Sequence, residues 1–409
     1  MTPPRVSVIV VSRNRPTALR RCINGLSQLY YPNFEIVVVA DMDGSEELVG
    51  RGYQGRVKLV RFDIPNISMA RNVGLQNAAG DIVAFIDDDA VPEPRWLDHL
   101  IAPIASGDAV AAGGYVLGRN GISLQWPARS VNCEGRTQLL TIEGEETVVV
   151  RGEKSEAIKT EGTNMAFDRE FVCKLGGFDP AYQFYMDETD LNLRIAAAGG
   201  DTAIVPKAVV HHGYLSSERR RADRAPMSLF HTGRSIAVFL RKHAPEDVRG
   251  RLHRYHRTEQ ENGAIKHLIE GRIEPRDVRR LMKTYDVGAD EGHLARPQEL
   301  QPIGASEQPY LPFEAETKPS GHISMNARWY NYRQILEKAI EARDDGHRVT
   351  ILRYSLTALR HRVKFTDEGI WLQQGGLFGK SERTDPVFRF WTKRSRNVRE
   401  LQRIEALRT

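Results

Sequence analysis

Cysteine is scarce: Cys22, Cys133 and Cys173 are the only three in 409 residues. Thiols so few and so scattered exclude a disulfide framework and a cysteine-based zinc cluster, and are expected to be reduced core residues. The chain also lacks any apolar window of membrane-spanning length. Its opening M-T-P-P-R-V-S-V-I-V-V-S has no charged segment ahead of a long apolar run, so a cytoplasmic location is expected. There is no internal repeat and no low-complexity tract. Net charge is small, +5, although basic residues gather between Arg219 and Arg257 and again after Lys380. That distribution allows attraction to phosphate or anionic lipid and nothing stronger, and nucleic acid is not an expected partner. What the chain does have is a hydrophobic content of 41%, ordinary for a soluble globular protein of two or three domains.

The most informative stretch is D-I-V-A-F-I-D-D-D-A-V-P, Asp81 to Pro92. An apolar strand runs straight into three adjacent carboxylates, which repel one another unless a cation relieves them. A divalent ion on oxygen ligands, completed by nucleotide phosphates, is the chemistry such a strand end suits. Around it the chain alternates strand and helix. V-S-V-I-V-V-S after Arg5 reads as a strand buried on both faces, and Pro16 opens a helix carrying Leu19, Cys22, Ile23 and Leu26. Glu35 to Ala40 and Val57 to Phe62 are further strands, the first ending in a carboxylate-rich turn, D-M-D-G-S, and Ser68 to Ala79 is a helix. Alternation of this kind predicts an α/β sheet whose ligands gather at the carboxyl ends of its strands.

Further on, helix is expected over Trp96 to Ile104 and strand over Ala109 to Leu117, then an irregular stretch with an antiparallel edge strand at Val148. F-Y-M-D-E-T-D-L-N-L-R-I-A-A-A-G, Phe184 to Gly199, is a helix with Asp187 and Glu188 at its start, where carboxylates suit the dipole. Ala203 to Gly213 reads as a strand pair ending in His211 and His212. Beyond it come three Arg-rich helical segments, Pro226 to His243, Pro245 to Gly271 and Pro275 to Tyr285. A proline-crowded linker follows, from Pro297 to Pro319, and then a small unit from Ile323. In that unit Trp329 to Arg343 reads as a helix, and strands are expected at Val349 and on both sides of a D-E-G turn. The expected domains are 1–215, 216–295, a linker over 296–322 and a small α+β unit over 323–409.

Singly, each acidic motif is a solvated turn or a helix cap. Together and in order, V-I-V-V-S-R-N-R, D-G-S, A-R-N-V-G, I-D-D-D, G-T-N-M-A-F, G-G-F-D and D-E-T-D-L-N-L-R resemble the family 2 glycosyltransferases over about Val6 to Gly213. The resemblance implies the GT-A nucleotide-sugar-binding fold, with a mixed, mainly parallel sheet, here followed by a helical extension and the small C-terminal unit. It also implies a nucleotide-diphosphate-sugar donor, Mg2+ or Mn2+ as cofactor, and a saccharide or lipid-linked acceptor in polysaccharide or glycan biosynthesis.

On this resemblance Ser12, Arg13, Asn14 and Arg15, with Asp41 or Asp43, form the base and ribose pocket, and Arg71 is its arginine. Asp87 and Asp89 match the outer positions of the family's D-x-D, Asp89 as the more direct metal ligand and Asp87 closer to ribose, with Asp88 in support. Gly162 and Asn164 resemble the loop approaching the donor sugar. Glu188 aligns with the catalytic base of an inverting transfer and Asp187 competes for the role, while Asp190 and Arg194 orient the site or pair locally. One of His211 and His212 would close on the metal, His211 being the better match.

Two rival classes are a nucleotidyltransferase, against which V-S-R-N-R-P lacks the glycine of a phosphate loop, and an inactive sugar-nucleotide or glycan-binding protein. Arg219, Arg220, Arg221 and Arg224 ahead of Phe230, Ile236, Val238, Phe239 and Leu240 raise a further expectation, peripheral contact with the inner face of a membrane, set against a core-facing helix with solvated arginines.

Overall fold

The β-branched runs that open the chain form the middle of a parallel sheet in the computed structural model, which describes residues 3–409 apart from 214–218, 222, 297, 316, 318 and 383. In chain order these elements are β1 (Val6–Ser12), α1 (Pro16–Leu26), β2 (Phe34–Ala40), α2 (Met42–Gly50), β3 (Lys58–Arg61), α3 (Ile67–Asn77) and β4 (Ile82–Asp87). Strands β3, β2, β1 and β4 lie side by side and parallel. All of β2 and nearly all of β1 are buried, which is why neither alternates polar with apolar. D-M-D-G-S is not the expected turn but the start of α2: Asp41 caps it, accepting from the Gly44 amide at 3.0 Å. A carboxylate there satisfies an orphan amide and allows the helix to begin at once.

After β4 come β5 (Ala90–Pro92), α4 (Trp96–Ala105), β6 (Ala111–Leu117), β7 (Leu124–Trp126), β8 (Arg129–Asn132) and β9 (Thr137–Leu139). They are followed by β10 (Val148–Arg151), β11 (Glu156–Ile158), β12 (Asn164–Asp168), α5 (Arg169–Lys174), α6 (Asp187–Ala197) and β13 (Asp201–His212). The large sheet has the order β10-β13-β6-β12-β4-β1-β2-β3, with β5 on β13 and β7 on β6. Parallel pairing runs from β3 to β4 and again between β6 and β13, while β12 is antiparallel to both its neighbours. Strand β10 is the antiparallel edge expected at Val148. Strands β8, β9 and β11 make a separate small sheet for which the irregular sequence there had no signal. Strand β13 is one strand of 12 residues rather than a pair, its register shifting between Val205 and Val209. Pro206 has no amide to donate, and the chain bulges there instead of turning back.

Helices α7 (Phe230–His243), α8 (Arg249–Ile269) and α9 (Pro275–Leu294) form the extension. Ile236, Val238, Phe239 and Leu240 are buried in its core with Leu252, Leu281 and Tyr285. The apolar half of the anticipated membrane patch therefore faces inward. Among the described residues, no helix is long and apolar enough to cross a membrane.

The proline-rich segment is a strap rather than a loose linker. Phe313 packs on Phe34 at 5.4 Å, and the Leu311 amide donates to Glu35 Oε2 at 2.8 Å. Pro297, and the first domain boundary at 215/216, lie outside the described residues. The chain closes with β14 (His322–Ala327), α10 (Tyr332–Asp344), β15 (Arg348–Ser355), β16 (Arg362–Phe365), β17 (Trp371–Gly376) and α11 (Lys393–Arg408). Its sheet, ordered β14-β15-β17-β16, includes the expected hairpin across D-E-G. All three cysteines are free, Cys22 and Cys173 buried and Cys133 half-buried.

Candidate active site

Strands β1 and β4 end together, Val11 standing opposite Asp87, so the turn after β1 and the three carboxylates at the end of β4 share one rim. Ser12 Oγ donates to Asp88 Oδ2 at 2.7 Å. The Arg15 guanidinium lies 3.3 Å from both Asp88 Oδ1 and Asp89 Oδ2. Burial pushes the Asp88 carboxyl up to about 7 against the pull of Arg15. Asn14 adopts a left-handed conformation, φ 58°, and its amide donates to Asp41 Oδ2 at 2.5 Å. Of the two aspartates the sequence left open, Asp41 is thus built into the turn, whereas Asp43 is exposed on α2. Beside the turn is a cavity of about 220 Å³ lined by Ser12 to Arg15 and by Phe62, Ile64 and Pro65. An apolar slot with polar groups along one side is a shape that takes a flat heterocycle.

Across the rim, Asp87, Asp89 and His212 each bring one ligand atom within 4.8 Å of the others. His212 Nε2 is 3.1 Å from Asp89 Oδ1, and its Nδ1 is 2.9 Å from Gln125 Oε1. With Nδ1–H donated to Gln125, Nε2 is directed at the carboxylates, the arrangement by which an outer partner orients a ligating imidazole. Thr163 Oγ1 donates to Asp87 Oδ2 at 2.5 Å and steadies it. Oxygen ligands with one imidazole suit Mg2+ or Mn2+, so these residues fit the expected ion. His211, the histidine favoured on sequence, is corrected by the strand's alternation: successive side chains point to opposite faces. Its Nε2 is 2.7 Å from Glu93 Oε1 and its ring 4.9 Å from that of Trp371.

A second pair of carboxylates, Asp187 and Glu188, stands at the start of α6. Tyr185 and Met186 precede them with φ of 76° and 70°, strained values for residues with side chains, and the type of outlier that clusters at functional sites. Asp187 is buried against the Arg71 guanidinium, which lies over the Phe178 ring at 5.2 Å and 3.8 Å from Asp87 Oδ1. Arg71 therefore joins the two carboxylate stations and does not line the cavity beside Ser12 to Arg15. Glu188 is half-buried, its Oε1 3.0 Å from Lys159 Nζ, which also reaches Thr189 Oγ1 at 3.1 Å. Burial pushes Asp187 up, Arg71 opposes it and Glu188 adds to the rise, for a net increase. Burial pushes Glu188 up too, but Lys159 and then Arg71 outweigh it and hold it below the usual glutamate range. Lys159 and Thr163 were not anticipated. Thr163 lies inside G-T-N-M, where the motif itself was the signal, whereas nothing local marks Lys159.

Two expected residues sit differently. Asn164 is fully buried, donating to Tyr115 O at 3.0 Å and Ala208 O at 2.8 Å while accepting from Trp96 Nε1 at 2.8 Å. Those bonds stitch β6, β13 and α4 together, and with them made the amide is committed to the fold rather than turned to a sugar. Gly162 matters through Arg71: a Cβ there would lie 2.3 Å from Nη2. In G-G-F-D, Gly176 and Gly177 have φ of 78° and 65°, and a Cβ on Gly177 would meet Asn72 Oδ1 at 2.4 Å. Asp190 pairs with Arg194 at 2.8 Å and with His243 and Lys242 of α7, each at 2.8 Å, fastening α6 to the extension.

Residues 7–171 match the family description "Glycosyl transferase family 2". The chain is 27% identical over 248 residues to the O-antigen biosynthesis protein RfbC of Myxococcus xanthus, covering 54% of this chain and 18% of that protein. It is 30% identical over 185 residues to the glucosyl-dolichyl phosphate glucuronosyltransferase of Haloferax volcanii, covering 43% of this chain and 56% of that one. Among solved structures, the mannosyltransferase PcManGT from Pyrobaculum calidifontis, in complex with GDP-Man and Mn2+, superposes with a TM-score of 0.44 at 17% identity, covering 71% of this chain and 88% of that chain. The chain thus spans less than two thirds of the length of these two curated relatives.

Proposed function

Starting from residues 7–171 as a glycosyl transferase family 2 domain, we propose that this protein is a metal-dependent inverting glycosyltransferase of GT-A type, moving a sugar from a nucleotide-diphosphate donor to an acceptor hydroxyl. The observation that carries the reading is the convergence of Asp87, Asp89 and His212 beside the cavity at Ser12 to Arg15. The cavity takes the nucleotide base. Asp87, Asp89 and His212 would hold Mg2+ or Mn2+, which when bound would offset charge on the donor diphosphate.

Glu188, kept ionised by Lys159, removes the proton of the acceptor hydroxyl. As the acceptor oxygen bonds to the anomeric carbon, the bond from that carbon to the diphosphate oxygen breaks. Its electron pair leaves on the diphosphate, the proton stays on Glu188, and attack from the opposite face inverts the centre. Asp187 holds Arg71 rather than acting as the base. Likeness to a protein named for O-antigen biosynthesis favours a role in surface-glycan assembly.

A donor screen reading nucleoside diphosphate release tests the reading. Asp89→Ala should lose transfer and metal response together, and a variant that keeps both would overturn it. Glu188→Gln should retain donor binding while losing about 10²- to 10⁴-fold in turnover. If Asp187→Asn alone has that effect, the base is Asp187; donor binding without turnover in the intact protein would make it a binding protein.

A further inference from the structure

A second cavity, of about 560 Å³, adjoins the nucleotide slot, and Phe184 and Arg219 line both. One wall comes from Arg219, Arg220, Arg224 and Pro226 ahead of α7, the other from the C-terminal half of α8 and the turn after it. The α8 wall lies beyond residues 7–171, so it belongs to this chain's own extension.

The lining is strongly cationic. Arg219, Arg220, Arg224, Lys266 and Arg272 face Glu270 as the one carboxylate among the described lining residues, and Glu270 already has Arg272 at 3.0 Å. Concave walls carrying one sign of charge concentrate the field and favour a multiply charged counter-ion. Two histidines register that field. His231 is lowered by burial and then by Arg219 and Arg234, and His267 by burial and then by Arg272.

The cavity's position relates it to the acceptor side. The Arg219 guanidinium lies over the Phe184 ring at 4.1 Å, between the two cavities. Tyr185 lines the cationic cavity, stands three positions before Glu188 in the strained turn, and feels the charges of both Glu188 and Arg220. A group bound here meets Tyr185, on the turn that leads to Glu188, and is separate from Asp87 and Asp89, which do not line the cavity.

We propose that this cavity is a subsite for a phosphate or diphosphate carried by the acceptor, anchoring it while the acceptor's hydroxyl lies at Glu188. The inference rests on the reading of Glu188 as the acceptor-side base. A soluble sugar phosphate and a lipid headgroup offer the same chemistry, and the arms of the test separate them.

In the full-length protein with EDTA present, binding of inorganic pyrophosphate is followed by calorimetry. Arg220 and Lys266 are exposed, so Arg220→Gln/Lys266→Gln should fold normally, checked by circular dichroism. It should bind pyrophosphate at least about tenfold more weakly, as expected for losing two charge-assisted contacts, while Asp89→Ala binds it like wild type. Pyrophosphate binding lost in Asp89→Ala but kept in the double variant, or no wild-type binding at millimolar concentrations, would overturn the proposal. Neither outcome touches the donor chemistry, which nucleoside diphosphate release in the Asp89→Ala test decides separately. Co-sedimentation with phosphatidylglycerol vesicles, absent with phosphatidylcholine and lost in the double variant, would assign the phosphate to a lipid. Pyrophosphate binding without sedimentation would assign it to a soluble acceptor.

Discussion

Glu188 is a half-buried acid whose ionised form is favoured first by Lys159 and then by Arg71. Removing Lys159 takes away the largest influence opposing burial, leaving Arg71 and the Asp187 hydrogen bond alone to favour the ionised form. With Lys159 in place the carboxyl lies below its ordinary value of 4.5, so the proposed base is ionised throughout the neutral range. Lys159→Met should therefore move the acid limb of the turnover profile to higher pH, read as nucleoside diphosphate release against pH. An unmoved limb would mean that Lys159 does not set the base. Asn164 is the opposite case, a motif residue whose hydrogen bonds serve the fold. Asn164→Ala removes the partner of the buried Trp96 indole N–H and two bonds to backbone carbonyls of β6 and β13, and a buried group left unsatisfied costs about 1–3 kcal/mol. The expected result is a lowered melting temperature, with the donor KM of the folded fraction unchanged.

At the scale of elements, α11 brings the end of the chain against the loop after β5. Arg408 of α11 grips Glu93, Nε to Oε2 at 2.6 Å and Nη2 to Oε1 at 2.7 Å, and stacks over Trp371 at 4.1 Å. Glu93 is also the partner of His211, one residue before the candidate metal ligand. Breaking a buried pair by removing one member costs about 3–5 kcal/mol, so Arg408→Ala should lower the denaturation midpoint by a corresponding amount. The pair also predicts a pH dependence. Burial pushes the Glu93 carboxyl up, Arg408 and His211 outweigh it, and the group is held at about 2 against an ordinary 4.5. A depressed carboxylate contributes stability fully above its unfolded value and loses it as pH falls through the folded one. Denaturation followed between pH 5 and 2 should show this loss in wild type and its reduction in Glu93→Gln.

At the scale of the whole molecule, the C-terminal unit is docked against the large sheet and its helices. Arg348, buried, donates to Gln28 O at 2.7 Å, and the Val363 amide donates to Asn120 O at 2.8 Å. Val91, Val363, Phe365 and Trp371 form a shared apolar cluster. Contacts of this kind couple the unit's opening to the catalytic core, and loosening them should release it first. Arg408→Ala is therefore expected to lose amide protection in β15 and β17 ahead of β1 and β4, as hydrogen exchange would show. Uniform loss would mean that the two sheets open as one.

The sequence by itself determined what local pattern encodes: the β-branched runs of β1 and β2, the Pro16 start of α1, the carboxylates after β4 and the pair at the start of α6. Each is a statement about neighbours along the chain, and burial on both faces or a helix cap leaves its mark within a few residues. It could not separate His211 from His212, because alternation on a strand assigns faces only once pairing is known, and the register of β13 on β5 sets Val91 opposite His211 and Ala90 opposite His212. Nor could it mark Lys159, Thr163 or Gln125 as partners of the site, or turn Asn164 and Arg71 from ligand groups into structural ties. Arg408 reaches Glu93 across 315 positions, and no periodicity carries information that far. Tertiary structure decided those matters because a side chain's role depends on which carbonyls, cations and rings the fold brings within about 3 to 4 Å of it, the range over which hydrogen bonds and ion pairs act.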